Sequence, residues 1–282
     1  MQVIKLKAQM REMVEAARRE GRTVGLVPTM GYFHEGHLEL MRRARADCDL
    51  VVVTLFVNPA QFTPGEDFED YPRDFDRDSS MAEAVGVDCI FNPEPEEMYP
   101  EGFSTHVEVE GLSDLMCGKT RPGHFRGVAT VVSKLFNIVP ADRAYFGQKD
   151  AQQLAVLRRM AWDLDFGIEI IAVPTVREVD GLAMSSRNTY LSRDDREVAL
   201  ALHRSLLAAE RAIALGERDA QAVRNAMEKV FSQYPTVVLE YIAICDNIFL
   251  QPREMLTGQV LVAVAVRVGK ARLIDNMVFE IE

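Results

Sequence analysis

The sequence predicts an α/β protein built on a parallel sheet and followed by a smaller α+β unit. Up to about residue 175, short apolar runs alternate with stretches of helical period, the pattern of strands joined by crossover helices that cover both faces of a sheet. Beyond it the texture changes to two Ala-rich helical stretches and then three apolar runs, which suits helices packed on a small antiparallel sheet. A chain of 282 residues with 48% hydrophobic content has material for both cores. We therefore expect a Rossmann-like domain over residues 1–175 and an α+β domain over 176–282.

In chain order, Lys7 to Glu20 reads as the first helix and Val24 to Val27 as a buried strand. Pro28 should end that strand's pairing, because proline has no N–H to give to a ladder. Helical patterns follow at Leu38 to Ala46, Phe75 to Val85, Val128 to Ile138 and Ala151 to Asp163. Between them lie strand candidates at Leu50 to Val57, Cys89 to Phe91, Arg143 to Phe146 and Ile168 to Val173. The second unit reads as helices at Arg193 to Leu215 and Ala220 to Tyr234, then strands at Val238 to Ile244, Val260 to Val268 and Ile274 to Ile281. Ligands of an open parallel sheet gather beyond the carboxyl ends of its strands, and His34, Asn58, Gln61, Gly147, Lys149 and Asp150 all fall there.

The formal charge of −11 disfavours nonspecific binding to nucleic acid or to an anionic membrane surface. An anionic substrate must then meet locally clustered cations. Cys48, Cys89, Cys117 and Cys245 are scattered without CxxC spacing, which argues against a disulfide framework or a cysteine zinc site and for the reducing cytoplasm. The N-terminal Met1-Gln-Val-Ile-Lys-Leu-Lys lacks a continuous apolar core, and no later segment gives eighteen uncharged apolar residues, so a soluble, unexported protein is expected.

The most informative segment runs from Val24 to His37, where a strand gives way to His34-Glu-Gly-His37 and then a helix. Backbone N–H groups at a helix start lack intrahelical partners and carry partial positive charge, so such a turn is a natural anion site, and Gly36 should let a phosphate approach without a Cβ in the way. His34 and His37 share one face of the opening turn, where imidazoles can donate to phosphate oxygens. A metalloprotease reading fails, since that motif needs histidines four apart; the match at Glu35 is superficial. Further along, the amides of Asn58 and Gln61 suit a substrate bearing hydroxyls and a carboxylate. Lys149 can neutralise phosphates, with Asp150 accepting from a ribose or helping to place a cation. Met184-Ser-Ser-Arg187, after the Asp180-Gly181 turn, offers two hydroxyls and a guanidinium that can wrap phosphates. Asp78 is either an acid linked to a metal or, the plainer alternative, a helix N-terminal acid facing the dipole. Arg121 and Arg126 can be simple ion-pairing arginines and are not placed among the catalytic residues.

Pro28-Thr-Met-Gly…His-Glu-Gly-His37 resembles the HxGH signature of nucleotidyltransferase-like enzymes and, within them, the pantothenate synthetase (pantoate–β-alanine ligase) family. Blocks similar to that family's follow in order: Phe56-Val-Asn-Pro-Ala-Gln-Phe, Tyr71-Pro-Arg, Arg121-Pro-Gly-His-Phe-Arg-Gly-Val, Tyr145-Phe-Gly-Gln-Lys-Asp, Asp180-Gly-Leu-Ala-Met-Ser-Ser-Arg-Asn and Arg272-Leu-Ile-Asp-Asn. The resemblance covers nearly the whole chain. It implies ATP-dependent joining of (R)-pantoate to β-alanine through a pantoyl adenylate, with Mg²⁺ on the phosphates, in a homodimer; because such an anhydride hydrolyses in water, the C-terminal domain (176–282) with the Met184 loop is expected to serve as a lid. By the same resemblance ATP would meet Met30, Gly31, Tyr32, Phe33, His34, Glu35, Gly36 and His37, then Gly147, Gln148, Lys149 and Asp150, then Val176 and Met184, Ser185, Ser186 and Arg187. Gln61 and Gln153, with Asn58, would hold pantoate and β-alanine; His34, His37 and Lys149 would be catalytic, His37 as proton donor. Ala60, Tyr32 and Gln148 depart from the residues common in the family, which bears on pocket packing. An adenylyltransferase acting on a phosphate monoester would use the same HxGH turn, but would want extra cations instead of paired glutamine amides.

Overall fold

A computed structural model describes all 282 residues. Nine strands form two sheets. β1 (Gln2–Ile4), β2 (Val24–Thr29), β3 (Leu50–Leu55), β4 (Cys89–Phe91), β5 (Arg143–Gly147) and β6 (Glu169–Val173) make a wholly parallel sheet in the order β1-β4-β3-β2-β5-β6. β7 (Val238–Asp246), β8 (Gly258–Val268) and β9 (Ala271–Ile281) form an antiparallel sheet in sequence order. The helices are α1 (Lys7–Arg19), α2 (Glu35–Asp47), α3 (Phe75–Ala84), α4 (Pro95–Met98), α5 (Met116–Thr120), α6 (His124–Ile138), α7 (Ala151–Asp163), α8 (Arg193–Ala199), α9 (Ala201–Ala214) and α10 (Ala220–Phe231). None is long and apolar enough to cross a membrane, and all four cysteines are free and buried.

Besides shifts of two or three residues at several element ends and the short helices α4 and α5, four differences from the sequence expectation have a clear physical reason. β1 is absent from that expectation: three residues, two of them exposed, carry no readable alternation. Pro28 does not end β2, which continues to Thr29 and pairs with β3 along its full length. What stops early is pairing on the other side, where β5 meets only Gly25 and Leu26. α6 begins four residues before the expected Val128, because Gly127 breaks the apolar period yet is tolerated inside the helix. The expected Arg193–Leu215 helix is interrupted at Leu200, whose ψ of −17° falls short of the helical value.

The early parting of β2 from β5 sets the site. Chain connections leave β2 toward one sheet edge and β5 toward the other, so a crevice opens between them at the carboxyl ends. The α1, α6 and α7 face of the large sheet shares one apolar core with Cys245, Leu261 and Ala263 of the small sheet. The small sheet's other face, through Val260, Val262, Val264 and Leu273, packs on α9 and α10. Its β9 edge thereby comes up against the crevice.

Candidate active site

A cavity of about 250 Å³ occupies the crevice. His34 caps the N-terminus of α2: its Nδ1 accepts from Gly36 N–H at 3.1 Å, while its own backbone N–H donates to His37 Nδ1 at 3.3 Å. With both Nδ1 atoms accepting, each neutral ring carries its proton on Nε2, the atom left to donate to a ligand. Burial, reinforced by the Lys149 charge, pushes His34 down to about 4. His37 lies well below the ordinary histidine value, by burial first and then by His34 and Lys149. The pair is therefore neutral at physiological pH. A Cβ on Gly36 would lie 2.9 Å from His34 Cε1, so the missing side chain also makes room for the imidazole.

Within residues 30–37, Met30, His34, Gly36 and His37 line the cavity. Phe33 is wholly buried and Glu35 turns outward to Arg42, so neither offers a side chain to a ligand. Tyr32 holds φ +53°, and Gly31 precedes it at φ +88°. That unusual bend is held by Asp78, whose oxygens accept from the N–H groups of Tyr32 at 2.6 Å and Phe33 at 2.7 Å. Asp78 is thus an anchor for the turn before the histidines. Its lone pairs face backbone amides, which argues against the metal-linked role, and burial raises its carboxyl despite those amides.

Asn58 also has a supporting place. It is almost fully buried, with Nδ2 donating to Gln61 Oε1 at 3.0 Å and to the Gly127 carbonyl at 3.2 Å, while Oδ1 accepts from Tyr99 Oη and Ala60 N–H. All four positions on its amide are taken. It orients Gln61 and itself lines the cavity. A Cβ on Gly127 would sit 2.1 Å from the Ala60 carbonyl oxygen, so α6 can lie against the Pro59–Gln61 turn only with glycine there. Gln61 and Gln153 both line the cavity, whereas Gln152 is buried and satisfied by the Cys117 N–H and the Leu112 and Leu115 carbonyls.

Across the crevice lie Gly147, Lys149, Asp150 and Val176, together with Met184, Ser185, Ser186 and Arg187. Ser186 Oγ donates to the Tyr32 carbonyl, tying that loop to the histidine turn. Arg187 forms a two-pronged pair with Asp67 at 3.0 and 3.1 Å over the Tyr71 ring. Gln148 does not reach the cavity, and its side chain donates to Asn276. No group of three or more His, Cys, Asp or Glu side chains gathers to hold a metal ion.

Arg121 is ion-paired, as expected, but at the cavity wall, and beside it His124 is not singled out by the sequence although its block is in view. Arg121 pairs with Glu66 at 2.5 and 2.9 Å and donates to His124 Nε2 at 2.8 Å, which leaves His124 Nδ1–H to donate to the Gln61 carbonyl at 2.7 Å. Burial, then the Arg121 charge, brings His124 to about 4. Burial would raise Glu66, but its bonds to Arg121 and to Thr63 N–H outweigh that and hold it at about 2. Gln61 is fixed from both sides, by Asn58 through its amide and by His124 through its backbone.

The pantoate-beta-alanine ligase family model matches residues 2–278. A pantothenate synthetase of Heliobacterium modesticaldum is 57% identical over 281 residues, covering 99% of this chain and all of that one. The solved pantothenate synthetase of Thermus thermophilus is 50% identical, with a TM-score of 0.93 over 98% of this chain and 99% of its own. The pantoate-beta-alanine ligase of Francisella tularensis, solved in complex with beta-gamma ATP and beta-alanine, is 30% identical with a TM-score of 0.79, over 98% of this chain and 97% of its own. On a match that runs nearly from end to end, the chain belongs to the pantoate–β-alanine ligase family.

Proposed function

We propose that this protein condenses (R)-pantoate with β-alanine, using ATP and giving pantothenate, AMP and pyrophosphate. The observation that carries the reading is that one cavity is lined both by two neutral imidazoles and Lys149, which suit phosphates, and by Gln61 and Gln153, whose amides suit hydroxyls. A carboxylate will not acylate an amine unaided, because its oxygen is a poor leaving group. A pantoate carboxylate oxygen therefore bonds to the α-phosphorus as the bond to the bridging oxygen breaks and pyrophosphate departs. The β-alanine amine then attacks the resulting mixed anhydride, expelling AMP.

Each residue's part follows from its chemistry. Gln61 and Gln153 hold the pantoate hydroxyls. The Nε2–H groups of His34 and His37 donate to α-phosphate oxygens as charge builds there, and being preoriented by their Nδ1 bonds they need no rearrangement to do so. A neutral His37 gives that charge a hydrogen bond through Nε2–H; it carries no second ring proton to hand over, unlike the proton donor that the resemblance implies. Lys149 meets the phosphates as a compact cation, and Ser185, Ser186 and Arg187 take the outer two, Arg187 on release from Asp67. Val176, whose carbonyl accepts from Met184 N–H, meets the adenine through its backbone. The oxygen donors of the site suit Mg²⁺ brought in as MgATP better than a resident ion. The C-terminal domain, whose small sheet packs on the large sheet's core, and the Met184–Arg187 loop together serve as the lid that keeps water from the anhydride.

Purified protein supplied with ATP, Mg²⁺, pantoate and β-alanine should form pantothenate and AMP in equal amounts. Formation of ADP, or retention of the AMP moiety in the product, would overturn the reading.

A further inference from the structure

Two consecutive residues of β9, Asp275 and Asn276, are almost fully buried and polar, and neither lies among the groups assigned to ligand binding. Asn276 stands on the side of the small sheet that faces the large one. Its Nδ2 donates to the Lys149 carbonyl at 2.8 Å and to the Gln148 carbonyl at 3.0 Å, while its Oδ1 accepts from Gln148 Nε2 at 3.2 Å. The turn that carries Lys149 is thus held through two of its carbonyls by one amide. Asp275 makes a two-pronged ion pair with Arg177 at 2.6 and 3.0 Å, and Arg177 also donates to the Gly181 carbonyl at 3.1 Å. Arg177 and Ala183 pair across the base of the loop that ends in Met184–Arg187.

We infer that Asp275 and Asn276 are positioning residues for the triphosphate, fixing from one strand edge the distance between the Lys149 turn and the Ser185–Arg187 loop. This rests on the ligase reading above. The two segments are far apart in sequence and come from loops, which alone would leave their relative place soft. Successive strand residues project to opposite faces, so one dipeptide can grip a segment on each side of the sheet. Both bonds are shielded, and each removes a polar group that burial would otherwise penalise. Such clamps act on groups that meet the outer phosphates. They should matter while ATP is bound and adenylated, and not once pyrophosphate has left.

The test is to compare Asn276→Asp, which keeps the shape but removes both donors, and Asn276→Ala with the parent protein, in two half-reactions. We expect the KM for ATP to rise about tenfold or more and pyrophosphate release to slow, with the KM for pantoate within twofold. From pantoyl adenylate supplied preformed, the reaction with β-alanine should stay within twofold. Asp275→Asn should give the same split, and Asp275→Glu should recover part of the loss. Equal losses in both half-reactions, or an unchanged KM for ATP in folded variants, would overturn the inference. ATP affinity by calorimetry decides the matter separately: were the parent protein to bind ATP yet make no adenylate, the ligase reading would fall, while a tenfold weaker Kd in the Asn276 variants would still support the clamp and an unchanged one would refute it.

Discussion

At His34 and His37 the same backbone-to-Nδ1 contact that caps α2 also selects the tautomer, and on the proposed reading that leaves Nε2–H preoriented for the α-phosphate. Replacing His37 by Ala should slow adenylate formation by roughly two to four powers of ten, as for other groups that stabilise developing charge, with a much smaller change in ATP affinity. Stopped-flow pyrophosphate release beside equilibrium ATP binding measures both, and a loss under threefold would contradict the role. Stability carries the same signature. The folded protein keeps His34 and His124 neutral down to about 4, whereas the unfolded chain takes up protons once the pH falls below the ordinary 6.5. The unfolded state then binds more protons, so stability should decline between pH 6.5 and 4, by at most about 1.4 kcal/mol per pH unit per group. Glu66, held at about 2, adds stability above its ordinary 4.5 that is lost as the pH falls toward 2. Thermal midpoints from pH 7 to 4 should therefore drop steadily, and a flat profile would count against buried neutral imidazoles.

At the level of elements, the contact of α6 with the Pro59–Gln61 turn depends on Gly127. Gly127→Ala should cost about 1–3 kcal/mol in stability through overpacking and, by moving Gln61, raise the KM for pantoate more than that for ATP. Urea unfolding and steady-state kinetics check the two halves. Most strands were legible because apolar runs bounded by turn residues leave few alternatives, and Cys89–Phe91 was located to the residue. The failures are instructive. Pro28 gives up one donor, and where only one neighbour is paired at that point the strand can continue, a distinction that needs the partner strands. Polar side chains posed a similar problem. Asp78 and Gln148 sit in the right blocks and have the right chemistry, but whether such a group meets ligand or backbone depends on neighbours distant in sequence: Tyr32 for Asp78, Asn276 for Gln148. Histidines beside a glycine at a strand-to-helix turn were readable, because the whole arrangement is local.

For the molecule as a whole, one parallel sheet supplies the crevice and the small sheet closes its flank, so groups from residue 30 to residue 276 converge on one cavity and its support. On the proposed reading that layout serves in-line attack of a carboxylate on the innermost phosphorus, in a cavity lined by the Gln61 and Gln153 amides together with His34, His37 and Lys149. The most direct test uses pantoate labelled with ¹⁸O in both carboxylate oxygens, turned over with ATP and β-alanine. Attack at the α-phosphorus carries one labelled oxygen into each AMP formed and leaves the pyrophosphate unlabelled. Label in pyrophosphate or inorganic phosphate, with none in AMP, would contradict the account.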